Sequence, residues 1–226
     1  ITLNEEYRSI TASVNENIVA NKINLNFLIE ETEKFLVDKI NIKGNNITRE
    51  EVIRNYLELD EGDPYNEILE KRSVNNIKSL NFFKDVKSEV LDLEEEGKKI
   101  INITVEEKAT GEIFAGAGVG TNGGTISFGV SENNYLGKGI KVATNLSITE
   151  ETVKGSFYVT DPNFRNSDKK VNYNLEATEI DRTSTSGYKS NKTGLGIGTK
   201  FEYLDDFNLG LSTQSLIEKI QTDSTA

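Results

Sequence analysis

The chain has 226 residues, enough for one large domain or two small ones. Its 26 Lys and Arg against 37 Asp and Glu leave a net charge of −11, which argues against a nucleic-acid partner, since phosphate neutralisation needs clustered cations. It has no Cys and no His, which removes disulfides, zinc–cysteine sites, thiol nucleophiles, the commonest general base and the commonest transition-metal ligand.

No window reaches the roughly 18 apolar residues of a helical membrane span. No signal peptide opens the chain. Ile1 already lies in a strand-like pattern, so the N-terminus reads as a cut. The texture changes near residue 110. Residues 1–110 hold 15 basic and 23 acidic side chains (15 − 23 = −8), and residues 111–226 hold 11 and 14 (11 − 14 = −3). Most of the 18 glycines lie beyond the change. The domain boundary is placed at Ala109–Gly111.

Residues 1–33 predict two strands, Ser9–Val14 and Lys22–Ile29, around a turn-rich stretch at Asn15–Asn21. Two strands alone are marginal, so they read as the end of a preceding domain. Residues 34–109 predict a complete α+β unit of order β-α-α-β-β. Phe35–Lys43 is its first strand, with a bend or bulge where the alternation slips. Thr48 is expected to cap a helix, with Glu51 completing a capping box and Val52, Ile53, Tyr56, Leu57 and Leu59 as its apolar stripe. Asn66 caps a second helix that turns Ile68, Leu69, Val74, Ile77 and Leu80 inward. Strands Val86–Leu93 and Ile100–Val105 follow, around a turn at Glu94–Gly97.

Residues 110–226 predict about seven strands of roughly ten residues, each alternating apolar and polar, as in a transmembrane β-barrel. They are Glu112–Gly120, Thr125–Glu132, Gly139–Ile148, Val153–Thr160, Lys170–Ile180, Thr193–Tyr203 and Phe207–Leu216. Ile126, Phe128 and Val130 share one face; Thr125, Ser127 and Ser131 share the other. A soluble β-sandwich alternates in the same way. Whole charges on the wet faces (Lys141, Lys154, Glu176, Lys200) favour a water-filled lumen. So do tight turns at Thr121–Gly124 and Glu150–Thr152 set against a long polar loop, Arg182–Lys192. About seven strands do not close a barrel, and an open sheet leaves edges unpaired in lipid, so the C-terminus also reads as a cut.

Several segments together resemble one family. Lys39-Ile40-Asn41-Ile42-Lys43-Gly44-Asn45 is similar to the opening strand and turn of a POTRA domain. Gly62-Asp63-Pro64-Tyr65 and Leu80-Asn81-Phe82-Phe83-Lys84-Asp85-Val86 are similar to its interhelix turn and the approach to its second strand. Val105-Glu106-Glu107-Lys108 with Thr110-Gly111 resembles the junction into a barrel. Gly116–Gly120, Asn134-Tyr135-Leu136-Gly137-Lys138-Gly139 and Val159-Thr160-Asp161-Pro162-Asn163-Phe164 resemble the first barrel strands and turns. The family is that of the outer-membrane β-barrel assembly factors related to BamA, and the resemblance covers nearly the whole chain.

The resemblance implies an outer-membrane location with the POTRA domain in the periplasm. It also implies that residues 1–33 end a preceding POTRA domain, that 34–109 are the last one, and that 110–226 begin the barrel. The implied partners are unfolded outer-membrane clients, accessory assembly lipoproteins and outer-membrane lipid. Glu61-Gly62 matches the place where the family's last POTRA meets a lipoprotein; an acid there can pair with a partner Arg, or be a plain surface acid.

The first barrel strand is the other candidate site. It sets Phe114, Gly116, Gly118 and Gly120 on one face and Ile113, Ala115, Ala117 and Val119 on the other. So few large side chains lock a strand weakly. They either make room for a neighbour or form a seam that opens to add a client strand by β-augmentation, the reading the family favours. Gly118-Val119-Gly120-Thr121-Asn122-Gly123 has dinucleotide spacing, but a strand follows where a helix is needed, so a hairpin is expected. Asp60, Glu61, Asp63 and Glu67 lack EF-hand spacing and read as a solvated turn. No catalytic residue, metal or cofactor is expected. The rival readings are a POTRA–barrel secretion pore of the two-partner or TamA-like type, a plain porin, and, least supported, an enzyme.

Overall fold

The structure, a computed structural model, describes residues 10–19, 22–31, 35–93, 97–120, 123–204 and 207–222. The chain forms two compact units: Ile1–Asn45 with Tyr56–Glu107, and Asn46–Asn55 with Lys108–Ala226.

The first unit opens with strands β1 (Ile10–Val19) and β2 (Lys22–Glu31), an antiparallel pair that forms a two-stranded sheet of its own. The turn expected at Asn15–Asn21 is corrected: strand pairing continues to Val19↔Lys22, and residues 20–21 lie outside the described residues. Asn15 and Asn17 are instead ladder positions, opposite Asn26 and Asn24. Tertiary pairing overrides the weak turn preference of isolated Asn.

Next comes a three-stranded sheet of β3 (Leu36–Lys43), β4 (Phe83–Leu93) and β5 (Lys98–Glu107). Its order is β3-β5-β4, with β3 parallel and β4 antiparallel to the central β5. The expected irregularity in β3 is a register shift between Val37 and Lys39. Helix α2 (Glu67–Ser79) packs on β4. Its N-cap is Asn66, whose side-chain oxygen accepts from the amides of Ile68 and Leu69. Ile77 is fully buried, alongside Ile40, Val86, Ile101 and Ile103. Ile68, expected inward, is 48% exposed, because it sits in the first turn on the outer side of the helix. Gly44 has φ +91 and lies so close to the Val105 carbonyl that a Cβ would stand 2.0 Å from its oxygen, so only glycine fits.

The helix expected from Thr48 is shorter than its apolar stripe. Helix α1 is Glu50–Arg54, its N-cap is Arg49, and no side chain of that residue caps it. Beyond it the Glu58 amide donates to Ser73 Oγ at 2.8 Å, and Asn76 Nδ2 donates to Glu58 Oε1 at 2.8 Å. These bonds hold Tyr56–Leu59 out of the helix and bury Leu59, so packing overrides helical spacing.

The second unit is built on seven antiparallel strands in sequence order: β6 (Gly111–Gly120), β7 (Gly123–Tyr135), β8 (Ile140–Thr149), β9 (Thr152–Asp161), β10 (Lys170–Arg182), β11 (Tyr188–Leu204) and β12 (Phe207–Thr222). The short helix α3 (Thr183–Ser186) lies between β10 and β11. The long loop expected at Arg182–Lys192 is therefore corrected: the strands run to Arg182 and resume at Tyr188, and only Thr183–Gly187 connects them. In an up-and-down sheet this connection lies at the same end as the β6–β7 and β8–β9 turns. The contrast of short and long sides does not hold as drawn; the longest connection, residues 162–169, is at the opposite end.

Which face is covered decides between sandwich and barrel. Along β7 the polar Thr125 and Ser127 are half-buried, while Ile126 and Phe128 on the other face are 64% and 47% exposed. The same inversion runs across the pairing. The row Val130–Thr144–Phe157–Leu175–Leu195 faces outward, and the row Ser127–Ser147–Lys154–Thr178–Lys192 faces inward. A sandwich buries its apolar face against a second sheet. Here the polar face is the more buried one, as in a barrel that meets lipid outside and water inside. The inner wall is laced by polar contacts: Tyr158 Oη donates to Glu176 at 2.8 Å, Lys154 lies 3.8 Å from Glu176, and Ser190 Oγ donates to Glu218 at 2.8 Å.

Candidate functional site: the first barrel strand and the turns around it

Strand β6 stands at one edge of the seven-stranded sheet and pairs with β7 alone. Among the described residues its far side has no neighbour, which leaves a row of N–H and C=O groups open to another strand. All ten of its residues are exposed, with Ile113 at 74% and Val119 at 93%. The pairing sets Phe114, Gly116 and Gly118 opposite Gly129, Ser127 and Thr125 on the inner face. Ile113, Ala115 and Ala117 lie opposite Val130, Phe128 and Ile126 on the outer face.

The glycines of this sheet fall into two kinds. A Cβ on Gly196 would stand 2.2 Å from Asn174 Oδ1, and one on Gly198 would stand 2.9 Å from Asn172 Nδ2. On β11, glycine makes room for asparagines lying flat across the neighbouring strand. Gly129 makes room in the same way for the Phe114 ring, whose Cε1 would be 2.0 Å from its Cβ. A Cβ on Gly116, Gly118 or Gly120 meets nothing within 4 Å. Packing by a neighbouring side chain accounts for the glycines of β11, whereas among the described residues nothing is packed on those of β6.

Glu61 and Gly62 lie in the first unit, beside the irregular part of β3. Gly62 N donates to the Val37 carbonyl at 2.7 Å, Val37 N donates to the Asp63 carbonyl at 2.8 Å, and Ile40 N donates to Glu61 Oε1 at 3.0 Å. One carboxylate oxygen of Glu61 thus accepts from a β3 amide just past the register shift at Val37–Lys39. Gly62 has φ +101 and open space where a Cβ would be. Asp63 Oδ2 accepts from the Asp60 amide at 2.8 Å, so these acids organise their own turn. Burial, with Glu70, Glu67 and Asp92 nearby, pushes the Tyr65 phenol up to about 12. The spacing Gly118–Gly123 leads into strand β7, not a helix, with residues 121–122 outside the described residues.

A third feature lies outside the two candidate sites read from the sequence. The β7–β8 turn is clasped by residues 46–55 within the second unit. Asn134 is 5% exposed; its Nδ2 donates to the buried Thr48 Oγ1 at 2.8 Å, and its Oδ1 accepts from Gly139 N at 2.8 Å. Arg49 N donates to the Gly137 carbonyl at 2.9 Å. Gly137 has φ +71, and a Cβ there would stand 1.9 Å from the Ile47 carbonyl oxygen. Glu132 accepts from the Asn134 amide at 2.7 Å and from the Thr110 hydroxyl. Thr48, read from sequence as a helix cap, holds this turn.

Residues 35–108 match the POTRA family, described as a surface antigen variable number repeat, and residues 134–225 match the Omp85 superfamily domain. The outer membrane protein assembly factor BamA of Neisseria meningitidis serogroup B is 31% identical over 219 residues, 93% of this chain and 27% of that protein. BamA of Nitratidesulfovibrio vulgaris is 22% identical over 192 residues, 83% of this chain and 24% of that protein. The chain thus spans about a quarter of the length of these relatives. The crystal structure of Haemophilus ducreyi BamA lacking POTRA domains 1–3 superposes with a TM-score of 0.77 at 18% identity, over 95% of this chain and 42% of that one. CdiB from Acinetobacter baumannii superposes at 0.60 and 11% identity, over 98% of this chain and 44% of that one. The chain therefore belongs to the family of POTRA-bearing outer-membrane barrel proteins that includes BamA, with its POTRA domain in the periplasm and its seven-stranded sheet part of an Omp85-type barrel.

Proposed function

We propose that the protein carrying this chain assembles and inserts β-barrel proteins into the outer membrane, with β6 as the templating seam. One observation carries this reading: among the described residues β6 is an edge strand, and nothing is packed against its inner-face glycines. A strand held by few side chains separates at low cost, and its free backbone groups bond an incoming strand by β-augmentation. Ile113, Ala115, Ala117 and Val119 line the lipid side of this seam, and Phe114, Gly116 and Gly118 line the lumen side. The POTRA domain acts as the docking arm for clients and accessory lipoproteins, with Glu61-Gly62 as one contact. The hairpin β1–β2 repeats the antiparallel pairing of β4–β5, which supports reading residues 1–33 as the close of a preceding POTRA domain.

The work is non-enzymatic. Pairing client backbone and burying client apolar faces in lipid supplies the free energy, with no nucleotide or cofactor. The test is folding of a small client barrel into proteoliposomes with and without the full-length protein, in the absence of any nucleotide. Faster client folding supports the proposal; an unchanged rate sinks it. The second reading, a secretion pore of the two-partner type, has the fold likeness to CdiB in its favour. It predicts export of a soluble polypeptide from loaded proteoliposomes and no faster client folding.

A further inference from the structure

The segment Asp161–Lys170 joins β9 to β10 at the end of the sheet where the chain arrives from the POTRA domain, the periplasmic end. Its loop is bound together by its own polar groups. Phe164 N donates to the Lys169 carbonyl at 2.9 Å, Asn166 N to the Asn163 carbonyl at 2.9 Å, and Ser167 Oγ to the Phe164 carbonyl at 2.6 Å. Two consecutive residues other than glycine, Arg165 and Asn166, are held at φ +57 and +55. Such strain persists where the surroundings fix it, and it marks segments with a task.

That loop places Phe164 at the rim of a depression of about 450 Å³ on the outward, apolar face of the sheet, where it joins Val171, Tyr173, Ile197, Leu211 and Thr213. The volume falls in the range of small-molecule sites, about 300–1,000 Å³. Val171 is 9% exposed, whereas Tyr173 and Ile197 on the same face are 41% and 46% exposed. The depression is thus roofed at its periplasmic end and open toward the middle of the sheet. At the roofed end the Arg165 guanidinium lies 5.4 Å from the centre of the Phe164 ring. Among the described residues Arg165 makes no ion pair. Of the two acids in this segment, Asp161 accepts from the Asn163 amide, and Asp168 is exposed beside Lys169 and Lys170.

We propose that this depression holds one acyl chain of a glycerophospholipid from the periplasmic leaflet, with the lipid phosphate on Arg165. An apolar slot that opens toward the hydrocarbon and ends under a cation matches a phospholipid in polarity along its length. A guanidinium pairs with phosphate through a fork of N–H donors. The site rests on the barrel's outward face being in lipid and is independent of how β6 works.

The experiment places the full-length protein in nanodiscs of phosphatidylethanolamine doped with phosphatidylglycerol that carries a diazirine in its acyl tail. After photolysis, labelled residues are mapped by mass spectrometry. Labelling is expected to concentrate on Tyr173, Ile197 and Leu211 over Ile126 and Leu146, which face outward elsewhere. R165Q is expected to lower the label at the first group by about tenfold, the worth of one charge-assisted hydrogen bond, and R165K to restore part of it. T213W, which fills the slot from an exposed position, is expected to abolish the concentration. Even labelling over the whole outward face would overturn the proposal, as would concentrated labelling that R165Q leaves unchanged.

Discussion

Replacing Asn134 by alanine tests whether the β7–β8 turn is held by residues 46–55. The substitution removes two buried hydrogen bonds, to Thr48 Oγ1 and from Gly139 N. The Gly139 amide is left without its acceptor, which costs about 1–3 kcal/mol. The Thr48 hydroxyl can rotate, so its loss is nearer the net worth of one hydrogen bond, about 0.5–1.5 kcal/mol. A total of about 2–3 kcal/mol corresponds to a rise of roughly 30- to 150-fold in local opening. Hydrogen exchange of the peptide spanning residues 134–142, in the full-length protein in lipid, reads that quantity directly. In a T48V background the Asn134 effect should shrink by about 1 kcal/mol, the coupling between the two side chains. Exchange in N134A within about twofold of the parent would refute the clasp, because a turn that holds itself needs neither bond.

Four further outcomes follow from the same geometry. G137A should destabilise the turn well beyond G187A: both glycines have positive φ, but only at Gly137 would a Cβ meet a carbonyl oxygen, at 1.9 Å; thermal midpoints of the two variants compare them directly. E61A should cost the POTRA domain about 1–2 kcal/mol by stripping an acceptor from the Ile40 amide. E61Q should keep that stability in a denaturant titration and lose affinity for any partner that reads the charge. G116A with G118A should leave sheet stability unchanged or raise it by up to about 1 kcal/mol, since neither Cβ meets an obstacle; slower client folding in this stable variant would tie the glycines to opening. Tyr65 holds its proton to about pH 12, so its stabilising contribution is whole below the ordinary phenol pKa of about 10 and fades as pH rises from there; Y65F should flatten that part of the stability profile.

What the sequence made legible was whatever its own periodicity encodes. Ile126, Phe128 and Val130 alternate with Ser127 and Gly129, and period two turns directly into an outward and an inward face. Asn66 announced the start of α2 because an N-cap is a local event. The end of α1 was hidden, since Tyr56, Leu57 and Leu59 keep helical spacing and only the bonds of Glu58 with Ser73 and Asn76 hold them out of the helix. Thr48 read as a cap because its true partner, Asn134, is 86 residues away. Glu61 read as a partner contact or a plain surface acid, because its acceptor role depends on the Ile40 amide, 21 residues away in β3. The open glycines of β6 and the filled ones of β11 look alike in sequence, and only the register with Asn172 and Asn174 tells them apart.

The most direct test of templating is disulfide mapping along β6. The chain has no native cysteine, so single cysteines from Ile113 to Val119 can be placed one at a time in the full-length protein and paired with cysteines in the terminal strand of a stalled client. Templating predicts cross-links in one register, where moving the β6 cysteine by one residue moves the reactive client position by one, with Ala115 and Ala117 among the reactive positions. No cross-link at any position from Ile113 to Val119 would contradict the account, and so would cross-links with no fixed register.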